Sequence, residues 1–265
     1  LSNTVWAYAT AGVGSKDLDL LFVTISIYCE NLLKHFNAQN LSNTLWAFAT
    51  AGYCEPDLFV AVAKEVSHRD MLKQFSVQNL SNTLWSFALL AVDYNHSDSF
   101  VVEEIMKKMF SLVVHGKDDV HLSQLYGAYL VLNICGPSTR QMIAPEWIQT
   151  KGREAYVRGQ KRVSKLQRDV GHSLASIPEF TFESEHVTKE GLSLDFACLS
   201  RKIAVEVDGP SHFLHPSKDC NGSTMLKHKI LERLGWKVIH VPYFQWDRIC
   251  RISGKVDYLL KKLKS

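Results

Sequence analysis

Apolar positions in the first half of the chain recur at helical spacing, and the recurrence itself repeats. Leu41, Leu45, Phe48, Ala49 and Gly52 follow the i, i+4, i+7, i+8, i+11 stripe of one helix face. The block at residues 1–12 returns at 41–52 and 80–91, with a worn fourth copy at 122–129. Trp6, Trp46, Trp85 and Tyr126 mark the period, in steps of 40, 39 and 41 residues. A period of this size predicts an α-solenoid in which each unit buries its apolar face on its neighbours. Each unit reads as two helices. Asn40 and Asn79 stand as N-caps of the first, which Gly12 and Gly52 close. The second follows a capping acid: Asp17 before residues 18–36, Asp57 before 58–68, Asp98 before 99–114. The repeated Trp and Phe side chains read as inter-repeat core rather than stacking platforms. Ser42, Asn43, Ser81 and Asn82 have two readings, capping or phosphate contact.

The pattern breaks at residues 133–150, where Gly136-Pro137 and Pro145 mark a linker. Val163, Leu166, Val170, Leu174 and Ile177 then keep a helical stripe, predicting one long helix through the start of the second half. Period two follows. Residues 179–187, 192–199 and 203–208 read as strands, 224–234 as a helix, 236–241 as a fourth strand and 245–264 as a final helix or helix pair. This order predicts a small α/β sandwich with a mixed sheet.

Composition narrows the class. With 46% apolar and 22% charged residues, the chain has enough apolar surface to fold, and no uncharged apolar run is long enough for a transmembrane helix. Six scattered cysteines without a CxxC pair fit a reducing compartment rather than a disulfide framework or a structural zinc site. The chain opens at Leu1 and reads as part of a longer protein. The net charge of +3 conceals a division: residues 1–150 hold 9 Lys+Arg against 14 Asp+Glu, and residues 151–265 hold 21 against 13. Seven cations crowd one segment: Lys151, Arg153, Arg158, Lys161, Arg162, Lys165 and Arg168. Such one-sided charge points to a polyanionic partner, with His212, Lys227 and Lys229 as further candidate contacts.

Two stretches carry family resemblances. Phe36-Asn-Ala-Gln-Asn-Leu-Ser-Asn-Thr-Leu-Trp-Ala-Phe-Ala49 and its copy at residues 75–88 resemble the octotricopeptide repeat, over roughly residues 1–132. Ile203-Ala-Val-Glu-Val-Asp-Gly-Pro-Ser-His-Phe213, Thr224-Met-Leu-Lys-His-Lys-Ile-Leu231 and Gly235-Trp-Lys-Val-Ile-His-Val-Pro242 resemble a RAP domain, placed at residues 151–265 with its basic leading helix. The first resemblance implies helical pairs that track organellar RNA. The second implies a fold similar to the restriction-endonuclease-like core, in organellar RNA processing. Together they imply an RNA-binding protein holding single-stranded or fragmented RNA, in processing or stability or as part of an organellar ribosome. The mitochondrion stands ahead of the chloroplast, the partners are RNA and ribonucleoprotein proteins, and no membrane or cofactor is expected.

An enzymatic alternative rests on side-chain alternation. Glu206 and Asp208 share one strand face, and Asp195 on the preceding strand completes three carboxylates for Mg²⁺. His212 and Lys227 or Lys229 then serve proton transfer or phosphate clamping, and Asp169 adds a further acid. The nuclease pattern has lysine two residues after Glu206, where this sequence has Asp208. RNA binding without cleavage is therefore the leading expectation.

Overall fold

The computed structural model of the chain describes residues 1–14, 16–53, 55–93, 99–113, 118–135, 144–160 and 163–265. Seven helices in the first half follow in pairs along the chain: α1 (Ser2–Thr10) and α2 (Lys16–Leu33), α3 (Ala38–Thr50) and α4 (Pro56–His68), α5 (Val77–Asp93) and α6 (Ser99–Leu112), then α7 (Asp119–Ile134). First helices pack on first helices, and second on second, as a repeat of this period requires. Phe48 and Phe87 are fully buried, edge-on to Phe22 and Phe59 respectively. Burying each such ring contributes about 1.5–3 kcal/mol.

The helix starts differ from expectation. Asn37 caps α3, accepting from the Asn40 N–H at 2.9 Å while Asn40 Oδ1 accepts from the Asn37 N–H at 3.3 Å. Ser76 and Asn79 repeat this reciprocal pair ahead of α5. Asn40 and Asn79 therefore sit inside the first turn, because each has a partner three residues upstream. Gly12 and Gly52 do close their helices, at φ of +63° and +77°. Ser42 and Ser81 are buried between repeats, and Ser42 donates to the Asn79 carbonyl at 3.3 Å. This burial removes them from contact with RNA. The Asp98 cap and the Asp17 side chain lie outside the described residues.

The long basic helix is not continuous. A π-turn (Ile148–Gly152) runs into α8 (Arg153–Gln160), which packs on α7 with Gly152 pressed against Tyr126 and Leu122. A separate helix, α9 (Lys165–Ala175), starts where Ser164 Oγ accepts from the Gln167 N–H at 3.0 Å. The predicted stripe fails at Val163, which is 50% exposed.

A two-residue strand, β1 (Val13–Gly14), lies between α1 and α2. The main sheet is built from β2 (Glu183–Val187), β3 (Ser193–Cys198), β4 (Ile203–Asp208) and β6 (Lys237–Pro242), ordered β2-β3-β4-β6. Its first three strands are antiparallel and β4–β6 is parallel, so the predicted mixed sheet is present. β2 begins four residues later than expected, because a turn at residues 177–180 brings the Phe180 N–H to the Ile177 carbonyl. Between β4 and β6 come the short β5 (His215–Pro216), parallel to β1, and α10 (Gly222–Arg233). After β6 come α11 (Tyr243–Trp246) and α12 (Ile252–Lys264), a pair in place of one helix.

The sheet separates two cores. Val205, Val207, Ile239 and Val241 pack with Val170 and Leu174 of α9 and Leu259 and Leu263 of α12. On the other face, Leu226, Ile230 and Leu231 of α10 belong to the same core as α3 and α5. The basic half is thus docked on the repeats through α10.

Candidate functional site

Alternation along β4 sends Ile203, Val205 and Val207 into one core and leaves Glu206 and Asp208 on the α10 face. The parallel register sets Glu206 against His240 of β6, which joins the same face. Asp195 closes the group from β3: its Oδ2 accepts the Val207 N–H at 2.7 Å. These side chains line a cleft of about 550 Å³ whose other walls are the 3₁₀ turn Pro210–His212, α10 and the α8–α9 elbow.

The acids are engaged. Lys227 Nζ lies 2.5 Å from Glu206 Oε2. Burial pushes the Glu206 carboxyl up to about 7, against the opposing pull of Lys227, and its Oε1 has no hydrogen-bond partner among the described residues. Lys227 stays protonated because Glu206, Asp195 and Asp208 outweigh the cost of its burial. Asp208 Oδ2 lies 2.6 Å from His240 Nδ1 and its Oδ1 3.3 Å from His212 Nδ1. Burial opposes ionisation of Asp208, yet these two imidazoles bring its carboxyl down to about 2. His240 Nε2 continues to His228 Nδ1 at 2.9 Å, and His228 Nε2 stands 3.4 Å from Glu232. Burial and the neighbouring His240 lower the His228 pKa. Asp195 is raised, chiefly by burial, and Glu185 adds to the rise.

Glu185 lies near Asp195 but outside the cleft lining. It lies on β2 with φ +54°, a left-handed conformation costing about 1–3 kcal/mol for a residue with a Cβ. Its Oε1 accepts from Nε2 of the buried Gln167. Glu185, Gln167, His228 and His240 were missed in the sequence. Alternation within residues 237–242 would have placed His240 on the acidic face, given the register with β4.

The predicted acids come together only in part. Asp169 belongs elsewhere: it accepts from Trp246 Nε1 at 2.8 Å and from Lys255 at 2.5 Å, and these hydrogen bonds lower its pKa. Lys227 is no free phosphate clamp, since Glu206 holds its ammonium. A divalent cation does not fit this set. Lys227 holds Glu206, two imidazoles hold Asp208 and a backbone N–H holds Asp195, and among the described residues no three ligating side chains converge on one point.

Among the predicted cations, Lys151, Lys165 and Arg168 are exposed and pair with no carboxylate of a described residue. Arg158 lies 3.1 Å from Asp119 and 3.9 Å from Glu154, yet is 59% exposed. Arg153 is half-buried and donates to the Lys189 carbonyl at 3.4 Å. Lys229 is half-buried on α10, and His212 faces the cleft at 39% side-chain exposure. Lys161 and Arg162 lie outside the described residues.

Residues 205–262 match the family profile of the RAP domain. A RAP domain-containing chloroplastic protein of Oryza sativa subsp. japonica is 29% identical over 104 residues, 39% of this chain and 16% of that protein. FAST kinase domain-containing protein 3, mitochondrial, is 36% identical over 64 residues in Rattus norvegicus, 24% of this chain and 10% of that protein. Its Homo sapiens counterpart is 33% identical over 67 residues, with 25% and 10% covered. The chain therefore spans a sixth or less of the length of these relatives. The segment that matches the RAP domain contains Glu206, Asp208, His212, Lys227, His228 and His240 on the strand–helix–strand unit described above.

Proposed function

We propose that the chain binds single-stranded RNA, with the RAP domain and its basic lead-in forming the main contact and the octotricopeptide-like repeats presenting the strand. The observation that carries this reading is the set of exposed cations Lys151, Lys165 and Arg168 on the basic lead-in, which pair with no carboxylate of a described residue. Cations without an internal partner are free to replace the counterions of a phosphate backbone. The place of action is an organelle. The printed names of the relatives, chloroplastic and mitochondrial, support this, and the mitochondrion is the first choice. The role is RNA processing or stability, or membership of an organellar ribonucleoprotein such as the ribosome. No helix among the described residues is long and apolar enough to cross a membrane.

Filter binding of single-stranded RNA across a salt series tests the reading. Affinity is expected to fall linearly on a log–log plot, with a slope near −0.7 per phosphate contacted. Each of Lys165→Ala and Arg168→Ala should weaken binding to every sequence alike and flatten the slope by about one contact's share. Absent or salt-independent binding rejects the reading.

A further inference from the structure

The RAP half holds a second cavity, of about 380 Å³, which shares only Gln167 with the acidic cleft among the described residues. It lies between α9 and the β2–β3 edge. Leu174, Phe180 and Phe196 form its buried floor, and Gly171 lets α9 come down onto Phe196, where a Cβ would stand 2.9 Å from the ring. Half-buried Phe182 stacks beside Phe180, at 6.1 Å and 20° between planes. One wall carries the Glu185 carboxylate, with Oε1 held by Gln167 and Oε2 without a hydrogen-bond partner among the described residues. Arg168 and His172 stand exposed at the rim, and Lys165 continues their stripe along α9 at i, i+3, i+7 spacing.

We infer that this cavity receives one unstacked guanine base of the bound RNA, an inference that rests on the RNA-binding reading above. Aromatic rings on an apolar floor offer a stacking surface for a flat base. The carboxylate argues against a phosphate in the same place, because two anions repel. An ionised carboxylate only accepts hydrogen bonds, so it selects a base edge made of adjacent donors. Guanine presents N1–H beside N2–H₂. Adenine and cytosine set one amino group next to an acceptor nitrogen, and uracil flanks its N–H with two carbonyls. The phosphates on either side of the base then meet Lys165, Arg168 and His172. Glu185, at φ +54° on β2, is one of the residues that line the cavity.

Fluorescence anisotropy of the 265-residue chain with labelled hexaribonucleotides tests this. The probes are hexauridylate and the same strand with one central guanine or one central adenine. The guanine strand is expected to bind about 10-fold more tightly than either other. Glu185→Gln should abolish that preference while leaving hexauridylate affinity within about two-fold, and Phe182→Ala should lower guanine-strand affinity about 10-fold. Equal affinity for the three strands, or a guanine preference that survives either substitution, overturns the inference while RNA binding stands. Failure to bind any strand at low salt rejects both readings together.

Discussion

Lys227 reaches from α10 to within 2.5 Å of Glu206 Oε2, whose carboxylate is buried while the Lys227 side chain is 27% exposed. Deleting one partner of such a pair leaves a buried charge and costs about 3–5 kcal/mol. The raised carboxyl adds a pH signature. Between the ordinary value of 4.5 and about 7, the folded state binds more protons than the unfolded, so stability from this group falls as pH rises through that window. Lys227→Met should therefore destabilise by about 3 kcal/mol at pH 8 and clearly less at pH 5, where Glu206 can take up a proton. Adding Glu206→Gln should recover most of the loss at pH 8. Urea unfolding at both pH values measures it, and equal losses would mean the pair is not buried as described. Period two within residues 203–208 made the common face of Glu206 and Asp208 legible. It could not reveal Lys227 or His240 as their partners, because those pairings depend on a β4–β6 register set by distant chain.

The basic lead-in shows how local signals compete at the scale of an element. Its charge and apolar spacing both suggest one helix. Ser164 and Gln167 nevertheless form the S-x-x-Q signature of a new helix start. The structure follows that signature: Ser164 caps α9, and Val163 stands exposed in the elbow. The break lets α8 lie on α7 while α9 lies with α12 against the sheet, so Lys151, on the π-turn into α8, and Lys165, on α9, sit on separately docked segments. Ser164→Ala removes the acceptor for the Gln167 N–H and should cost about 1 kcal/mol, read as a lower midpoint in chemical denaturation. A midpoint shift indistinguishable from zero would show that the elbow is held by its surroundings alone. The repeats were easier to read, because a 40-residue period recurs in type and spacing; only their first turns were misplaced, by the hidden reciprocity of Asn37 with Asn40 and Ser76 with Asn79.

At the scale of the whole molecule, the acidic repeats and the basic half share a core, a union that no local pattern announces. α10 lies against α3, α5 and α7, and its Gly222 sits directly under the end of α3. A Cβ there would stand 1.9 Å from the Ala49 carbonyl oxygen and 3.0 Å from Leu89 Cδ2, so backbone has to move to admit even a methyl group. The His215 N–H also donates to the Gly12 carbonyl at 2.7 Å, tying the β4–β6 connection to the first repeat. That connection carries His212, Lys227 and His228, so the cleft keeps its shape only while α10 stays seated. Overpacking of this kind costs about 1–3 kcal/mol, which for a chain of this size lowers the melting temperature by roughly 5 °C. Gly222→Ala should therefore melt earlier than the parent chain, and limited proteolysis should cut first around residues 209–223. An unchanged melting temperature and digestion pattern would mean that α10 does not press on α3. The cleft would then owe its shape to the sheet alone.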